Sequence, residues 1–368
     1  MTPAARPLSV ILAGGGTAGH VNPLLAVADA LTRRQPDSVL TVLGTEEGLE
    51  SRLIPQRGYP LRTLPRTPFP RRPNRAALAF PGAMRSAVRA ARRAVDEVEA
   101  DVVVGFGGYV ATPAYLAARG ARKPIVVHEQ NARPGLANRL GARLATSVAV
   151  TFEQTSLPHA QVLGMPLRRE ISTLDRQALR AEGLAYFGLS AGLPTVLVTG
   201  GSLGAQRLNT AFADSAPAVV QSSVQVLHLT GAGKEVEGVS EGSTGARYVA
   251  QPYTDRMDLA YAVADVAVCR AGAGTVCELA AVGLPAVYVP LPVGNGEQRL
   301  NAAGVVRAGG GMLVEDAELS PRWVREVLLP LMRDASRLRT MSTAAAAMGR
   351  PDADEAMADL VLRAARRV

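Results

Sequence analysis

Leu8-Ser9-Val10-Ile11-Leu12-Ala13 runs directly into Gly14-Gly15-Gly16-Thr17-Ala18-Gly19-His20, and midway along the chain Pro194-Thr195-Val196-Leu197-Val198-Thr199 runs into Gly200-Gly201-Ser202-Leu203-Gly204-Ala205-Gln206. Each stretch is a short β-branched apolar run, then a glycine-rich turn, then a segment with helical spacing. Glycine lets the backbone turn sharply and come close to a ligand. The helix that follows points unpaired N–H groups and a partial positive charge at whatever lies above the turn. One such turn says little. Its duplication predicts two nucleotide-binding-type halves facing a shared cleft.

A chain of 368 residues exceeds what one core usually supports, so two domains are expected. With 48% hydrophobic and 20% charged residues it has the composition of an ordinary globular protein. No run approaches the ~20 apolar residues of a membrane span. The N-terminal apolar run is too short for a secretory signal and is interrupted by glycines 14–16, so it reads as a first strand. The two cysteines, Cys269 and Cys277, have neither metal-type spacing nor partner histidines, which fits a reducing compartment and two small buried apolar residues. The net charge of +8 suggests an anionic partner, although nearly all of it is arginine, Lys123 and Lys234 being the only lysines. Nucleic acid is a poor candidate, because aromatics are 4% of the chain and no binding motif is present.

Strand-like runs fall near 8–13, 38–43, 101–104, 124–127, 147–151 and 161–163 in the first half. In the second they fall near 194–199, 224–229, 246–250, 265–269 and 285–290. Short continuous apolar strands alternating with helices predict α/β domains whose parallel sheets are covered on both faces. Ligands in such folds sit beyond the carboxyl ends of the strands. Gly164-Met165-Pro166-Leu167-Arg168 reads as the hinge, and the stretch from Asp352 onward as a closing helix. Asp352-Ala353-Asp354 matches a D-x-D metal pattern, but it follows Pro351 and opens a helix, where carboxylates meet exposed N–H groups. Nothing else calls for a metal or a cofactor.

Several residues have the chemistry for a site. His20 closes the first glycine turn; it is either a general base near neutral pH or a helix-terminus histidine bonded to backbone. Gly105-Phe106-Gly107-Gly108-Tyr109 follows the strand at 101–104. His128-Glu129-Gln130-Asn131 sets four polar residues at the end of the strand before it, either a docking edge or a polar loop. Arg270-Ala271-Gly272-Ala273-Gly274-Thr275-Val276-Cys277-Glu278 enters a helix. There Thr275 and Glu278 fit a capping box; alternatively the glycines cradle a phosphate while Glu278 accepts from a ribose diol. Gln298 offers both donor and acceptor to sugar hydroxyls. The stretch from Arg71 to Arg93 carries Leu78, Phe80 and Met84 among arginines. It fits either an anionic lipid surface or a solvated helix packing Leu78 and Val88 inward.

These segments, in this order and over nearly the whole chain, resemble the lipid II-forming peptidoglycan glycosyltransferases, the MurG family. The resemblance rests on residues 14–20, 107–110, 128–131, 164–168, 200–205, 270–278 and 298–302. It implies a glycosyltransferase-B architecture of two doubly wound, Rossmann-like domains. Residues 1–164 with a returning helix 351–368 would form the acceptor and membrane-facing domain, and residues 165–350 the donor domain. The implied reaction is inverting, metal-independent transfer of N-acetylglucosamine from UDP-N-acetylglucosamine to undecaprenyl-pyrophosphoryl-N-acetylmuramoyl-pentapeptide (lipid I), at the cytoplasmic face of the cell membrane. By that resemblance Arg168 and Ser202 contact the nucleotide and its diphosphate. Ala273, Gly274, Thr275, Val276, Cys277 and Glu278 wrap phosphate and ribose, and Gln298 holds the sugar. The backbone of Thr254 meets uracil, with Tyr253 placed to stack on the base. Thr17, Ala18, Gly19 and Asn131 approach the transferred sugar, and His20 serves as base with Glu129 as alternative or orienting partner. Met165 in the hinge and Glu297 before Gln298 depart from the family pattern. Three other readings stay open: a nicotinamide-dependent dehydrogenase using Glu46 for ribose, a non-catalytic nucleotide-sugar sensor, and an epimerase.

Overall fold

The computed structural model describes residues 6–69, 75–201, 204–234, 236 and 241–366, with only the backbone described at 75–77. It divides into two units, Met1–Arg168 together with Asp352–Val368, and Arg169–Pro351. The first cut falls at Arg168 rather than at residue 164. The start of the turn is tied into the first unit: the Val150 carbonyl accepts from the N–H groups of Leu163 and Gly164, and the Gly164 carbonyl bonds His128 Nε2 at 2.9 Å.

The first unit contains β1 (Ser9–Gly14), β2 (Val39–Gly44), β3 (Leu61–Thr63), β4 (Val102–Gly107), β5 (Ile125–Glu129), β6 (Ser147–Val150) and β7 (Ala160–Val162), in the order β3-β2-β1-β4-β5-β6-β7 and parallel throughout. The second contains β8 (Thr195–Thr199), β9 (Gln225–Leu229), β10 (Tyr248–Gln251), β11 (Val266–Cys269), β12 (Ala286–Tyr288) and β13 (Gly311–Leu313), in the order β10-β9-β8-β11-β12-β13, again parallel. Each sheet therefore winds outward both ways from its first strand. The strand order reverses between β1 and β4 and between β8 and β11, the points where doubly wound folds open a crevice for ligand. The sequence reading missed β3 and β13. Both are three-residue edge strands, only partly buried, with too few apolar residues to register as a run.

Alternation along β1 explains the two covered faces. Val10 and Leu12 pack with the helix Ala18–Arg34 and with Met357 and Val361 of the helix Ala353–Ala365. Ile11 and Ala13 point the other way, toward Ala91 and Val95 of the helix Arg75–Glu97 and Ala114 of the helix Ala111–Gly120. Each such aliphatic side chain removed from water contributes roughly 1.5–3 kcal/mol. The closing helix is held to the first unit as well by ion pairs of Arg33 with Asp354 at 2.8 Å and Glu355 at 2.6 Å, and of Arg34 with Asp359 at 2.6 Å. Asp354 of the D-x-D pattern is thus engaged by an arginine.

Each sheet buries one histidine completely, His128 in β5 and His228 in β9. His228 sits between the Tyr248 hydroxyl at 2.6 Å and Asn209 Oδ1 at 3.1 Å. Burial pushes both imidazoles down from 6.5 to about 4. A proton therefore binds the unfolded chain before the folded one as pH falls. The stability these groups contribute is complete above pH 6.5 and is lost between 6.5 and 4, on the order of 3 kcal/mol for each. Urea unfolding across that window should show falling midpoints, and His228→Gln should flatten the fall. An unchanged slope in the variant would exclude this origin.

Candidate active site

The carboxyl ends of β1 and β4 form one crevice edge. β4 is irregular there, pairing Ala13 with Gly105 but Gly14 with Gly107, so its end is turned toward the first glycine turn. Gly108 has φ of +80°, and a Cβ on it would stand 2.4 Å from the Gly15 carbonyl oxygen. The two glycine turns can meet only without side chains. His20, in the first turn of the helix Ala18–Arg34, lies beside Gly107, whose added Cβ would be 3.1 Å from its Nε2. Its Nδ1 faces the Gly15 carbonyl at 3.1 Å and the Thr17 hydroxyl at 3.2 Å. A carbonyl only accepts, so Nδ1 carries the hydrogen and the lone pair of neutral imidazole is on Nε2. Desolvation holds the pKa of the half-buried ring below 6.5, against the opposing pull of the Gly15 carbonyl and the Glu50 charge. The bonded-to-backbone and the base readings of His20 are thus compatible, one on each nitrogen. Thr17 and Gly19 are exposed and Ala18 is half-buried.

The polar segment at the end of β5 is mostly inward-facing. His128 and Gln130 are buried, with Gln130 Nε2 donating to His128 Nδ1 at 3.1 Å. Glu129 is also buried. Its Oε1 accepts from Asn131 N at 2.9 Å, and its Oε2 from Gly135 N and Asn138 Nδ2, both at 3.0 Å. Asn138 is oriented in turn by the Tyr115 hydroxyl, which donates to its Oδ1 at 2.8 Å. Desolvation raises the Glu129 pKa, partly offset by these donors. Both oxygens of Glu129 thus accept from the segment that carries Asn131. Within that loop Asn131 itself is half-buried, and its carbonyl accepts from the Thr155 hydroxyl at 3.2 Å.

In the second unit the ends of β8 and β11 form the corresponding edge. Gly201 N donates to the Thr199 hydroxyl at 3.2 Å, and Ser202 lies outside the described residues. The helix Ala273–Ala281 begins at the N-cap Gly272, which has no side chain to close the first turn. The leading N–H groups of Ala273, Gly274 and Thr275 are therefore presented to whatever sits above them. The capping-box reading fails, because Thr275 lies inside the helix. Glu278 instead accepts from the Tyr261 hydroxyl at 2.6 Å, which fixes its carboxylate. Gln298 Oε1 accepts from Ala271 N at 3.2 Å and Leu291 N at 3.0 Å, so its acceptor is used to join two strand ends and its amide nitrogen remains as donor. Thr254 is buried, its hydroxyl accepting from Arg256 N at 3.1 Å, whereas Tyr253 is 60% exposed. Burial pushes the thiols of Cys269, to about 12, and Cys277 up, so neither is a nucleophile. Val276 is buried. Arg168 is half-buried at the last residue of the first unit.

Residues 10–150 match the glycosyltransferase family 28 N-terminal domain and residues 195–357 its C-terminal domain. The UDP-N-acetylglucosamine--N-acetylmuramyl-(pentapeptide) pyrophosphoryl-undecaprenol N-acetylglucosamine transferase of Streptomyces avermitilis is 54% identical, over 97% of this chain and 98% of its own length. The enzyme of the same name from Clavibacter sepedonicus is 57% identical over 95% of each. This chain belongs to the MurG family of glycosyltransferases. The crystal structure of Acinetobacter baumannii MurG superposes with a TM-score of 0.79 at 29% identity, covering 97% of this chain and all of that one.

Within this MurG-family fold the acid at the end of β2 is not the one expected. Glu46 is exposed, whereas Glu50, which the sequence reading passed over, is buried beneath the first glycine turn and accepts from Gly16 N at 2.8 Å. A dinucleotide phosphate has no place on an amide already held by a carboxylate, so the dehydrogenase reading fails. Tyr261, Asn138 and Tyr115 were also missed; each is an ordinary core residue by pattern and becomes functional only through the carboxylate or amide it orients. Arg71 and Arg72 lie outside the described residues. In the helix that follows, Leu78 is 84% exposed rather than packed inward, while Val88 packs against the core.

Glu129→Gln should set an amide N–H₂ against backbone donors and cost about 1–3 kcal/mol, read as a lowered urea midpoint. A variant of full stability and no turnover would place Glu129 in the chemistry rather than in the scaffold.

Proposed function

We propose that this chain transfers N-acetylglucosamine from UDP-N-acetylglucosamine to the 4-hydroxyl of undecaprenyl-pyrophosphoryl-N-acetylmuramoyl-pentapeptide, converting lipid I to lipid II in peptidoglycan synthesis. The observation that carries this reading is the 54% identity over 97% of the chain to a Streptomyces avermitilis enzyme named for these substrates. The second unit is the donor unit. Its helix Ala273–Ala281 offers leading N–H groups to the diphosphate, Glu278 accepts from the ribose, and the Gln298 amide donates to the sugar. Arg168 and Ser202 add phosphate contacts, and the Thr254 backbone with the Tyr253 ring takes the uracil. The first unit is the acceptor unit, with Thr17, Ala18, Gly19 and Asn131 nearest the transferred sugar.

The chemistry is one in-line displacement with inversion. The acceptor 4-oxygen bonds to the anomeric carbon as that carbon's bond to the β-phosphate oxygen breaks. The bonding pair leaves with UDP, and the hydroxyl proton passes to His20 Nε2. A positioned base supplies about 10²–10⁴-fold. Preorganised donors on the departing diphosphate supply a further share, of the size lost, about 10²–10³-fold, when one such donor is removed. Arginine and backbone N–H groups neutralise that charge without a divalent cation.

We further read the face around the helix Arg75–Glu97 as resting on an anionic membrane surface on the cytoplasmic side. Leu78 and Phe69 are exposed, with Phe80 edge-on to Phe69 at 5.2 Å, and Arg85, Arg89 and Arg93 are exposed alongside. Each basic residue near such a surface contributes on the order of 1 kcal/mol. No helix among the described residues is long and apolar enough to cross a membrane.

Incubation with radiolabelled UDP-N-acetylglucosamine and a short-chain muramoyl-pentapeptide lipid should give labelled disaccharide lipid and UDP, at the same rate with EDTA present. Loss of turnover with EDTA and its return with magnesium would overturn the metal-independent step, and no transfer at all would overturn the function. His20→Ala should lower kcat about 10²–10⁴-fold and leave UDP binding intact. Because burial lowers the His20 pKa, activity should be lost on acidification through an inflection below pH 6.5. An inflection above 6.5, or turnover in His20→Ala within a few-fold of wild type, would remove His20 as base.

A further inference from the structure

Glu50 is fully buried at the start of the helix Glu50–Gln56, and three glycines close around it. A Cβ on Gly15, Gly44 or Gly48 would stand 2.4, 2.5 or 2.1 Å from an atom of its side chain. Three backbone positions, one just after β1 and two at and beyond the end of β2, are thus kept bare for one side chain. Its Oε1 accepts from Thr45 N at 2.9 Å and from the Thr45 hydroxyl at 2.8 Å, and its Oε2 from Gly16 N at 2.8 Å. These donors outweigh desolvation and hold its pKa below the ordinary glutamate value, so it is an anion.

The N–H of Gly16 and the C=O of Gly15 belong to the same peptide group. The N–H side donates to Glu50, and the C=O side accepts from His20 Nδ1. A single amide plane therefore lies between a buried carboxylate and the imidazole. Hydrogen bonds in such a chain polarise one another: an anion on the N–H makes the carbonyl a better acceptor. The amide plane can rotate only if both partners move.

We propose that Glu50 is a positioning residue for His20, acting through the Gly15–Gly16 peptide to fix the ring's tautomer and direct Nε2 at the acceptor hydroxyl. The arrangement is a carboxylate–histidine pair with one peptide group inserted. It rests on the reading of His20 as base. The groups facing the pair are few. Around Glu50 they are the N–H groups of Gly16, Thr45 and Glu50 itself and the Thr45 hydroxyl, with no charged side chain among them. Around His20 they are the Gly15 carbonyl, the Thr17 hydroxyl and the Glu50 charge, which raises its proton affinity against desolvation.

The test is a cycle of His20→Ala, Glu50→Gln and the double variant in the full chain, followed by UDP release with UDP-N-acetylglucosamine and the short-chain muramoyl lipid. Glu50→Gln should lower kcat about 10–100-fold, leave KM for UDP-N-acetylglucosamine within about threefold, and move the acid inflection to lower pH. In the His20→Ala background it should cost nothing more. An equal loss in that background, or a raised KM with unchanged kcat, would make Glu50 merely structural and overturn the proposal. Turnover retained by His20→Ala would instead overturn the base reading, and the proposal with it. Should Glu50→Gln not fold, Thr45→Val removes only the hydroxyl bond to Oε1. A smaller loss of kcat with the same direction of pH shift supports the proposal, and an unmoved inflection overturns it.

Discussion

A backbone N–H that emerges past the carboxyl end of a parallel strand has lost its ladder partner, and something must replace it. The two halves of this chain meet that requirement differently. In the first unit a carboxylate from the same unit, Glu50, takes the Gly16 amide from below. In the second the leading N–H groups of the helix Ala273–Ala281 have no side-chain cap. The helix Ala18–Arg34 likewise has no side-chain cap, so the difference rests on the Gly16 amide, which Glu50 occupies.

The duplicated glycine turns made the architecture legible, because parallel strands buried on both faces and a helix after each turn follow from local pattern. What escaped was whatever depends on a partner distant in sequence. β3 and β13 have three residues each and sit at sheet edges, where pairing rather than composition defines them. Glu46 and Glu50 are equivalent by spacing, and only the space left by Gly15, Gly44 and Gly48 tells them apart. Four polar residues at 128–131 suggested a docking edge, yet three of them are buried and bonded inward. Polarity at a strand end thus reported a hydrogen-bonded scaffold for one surface residue, Asn131.

The site side chains are consistently held from behind. Glu278 is set by Tyr261, Asn138 by Tyr115, and Gln298 by two backbone donors at 3.2 and 3.0 Å. Gln298 thereby loses the ambiguity of its amide: with the oxygen occupied, it offers hydrogen outward and accepts nothing. A side chain held this way distinguishes partners by the direction of the hydrogen bond, not only by the presence of a polar group.

The helix Ala353–Ala365 covers Val10 and Leu12 from the far end of the chain, pinned by Arg33 and Arg34. During synthesis, the helix Ala18–Arg34 can cover that face of the first sheet only in part until the ribosome has made the whole of the second unit and the helix beyond it. The later-made unit has all its strands and helices first, and the earlier-made one waits. A nascent chain of this kind keeps part of an apolar face exposed until that helix is made, and the helix then completes the cover of the first sheet.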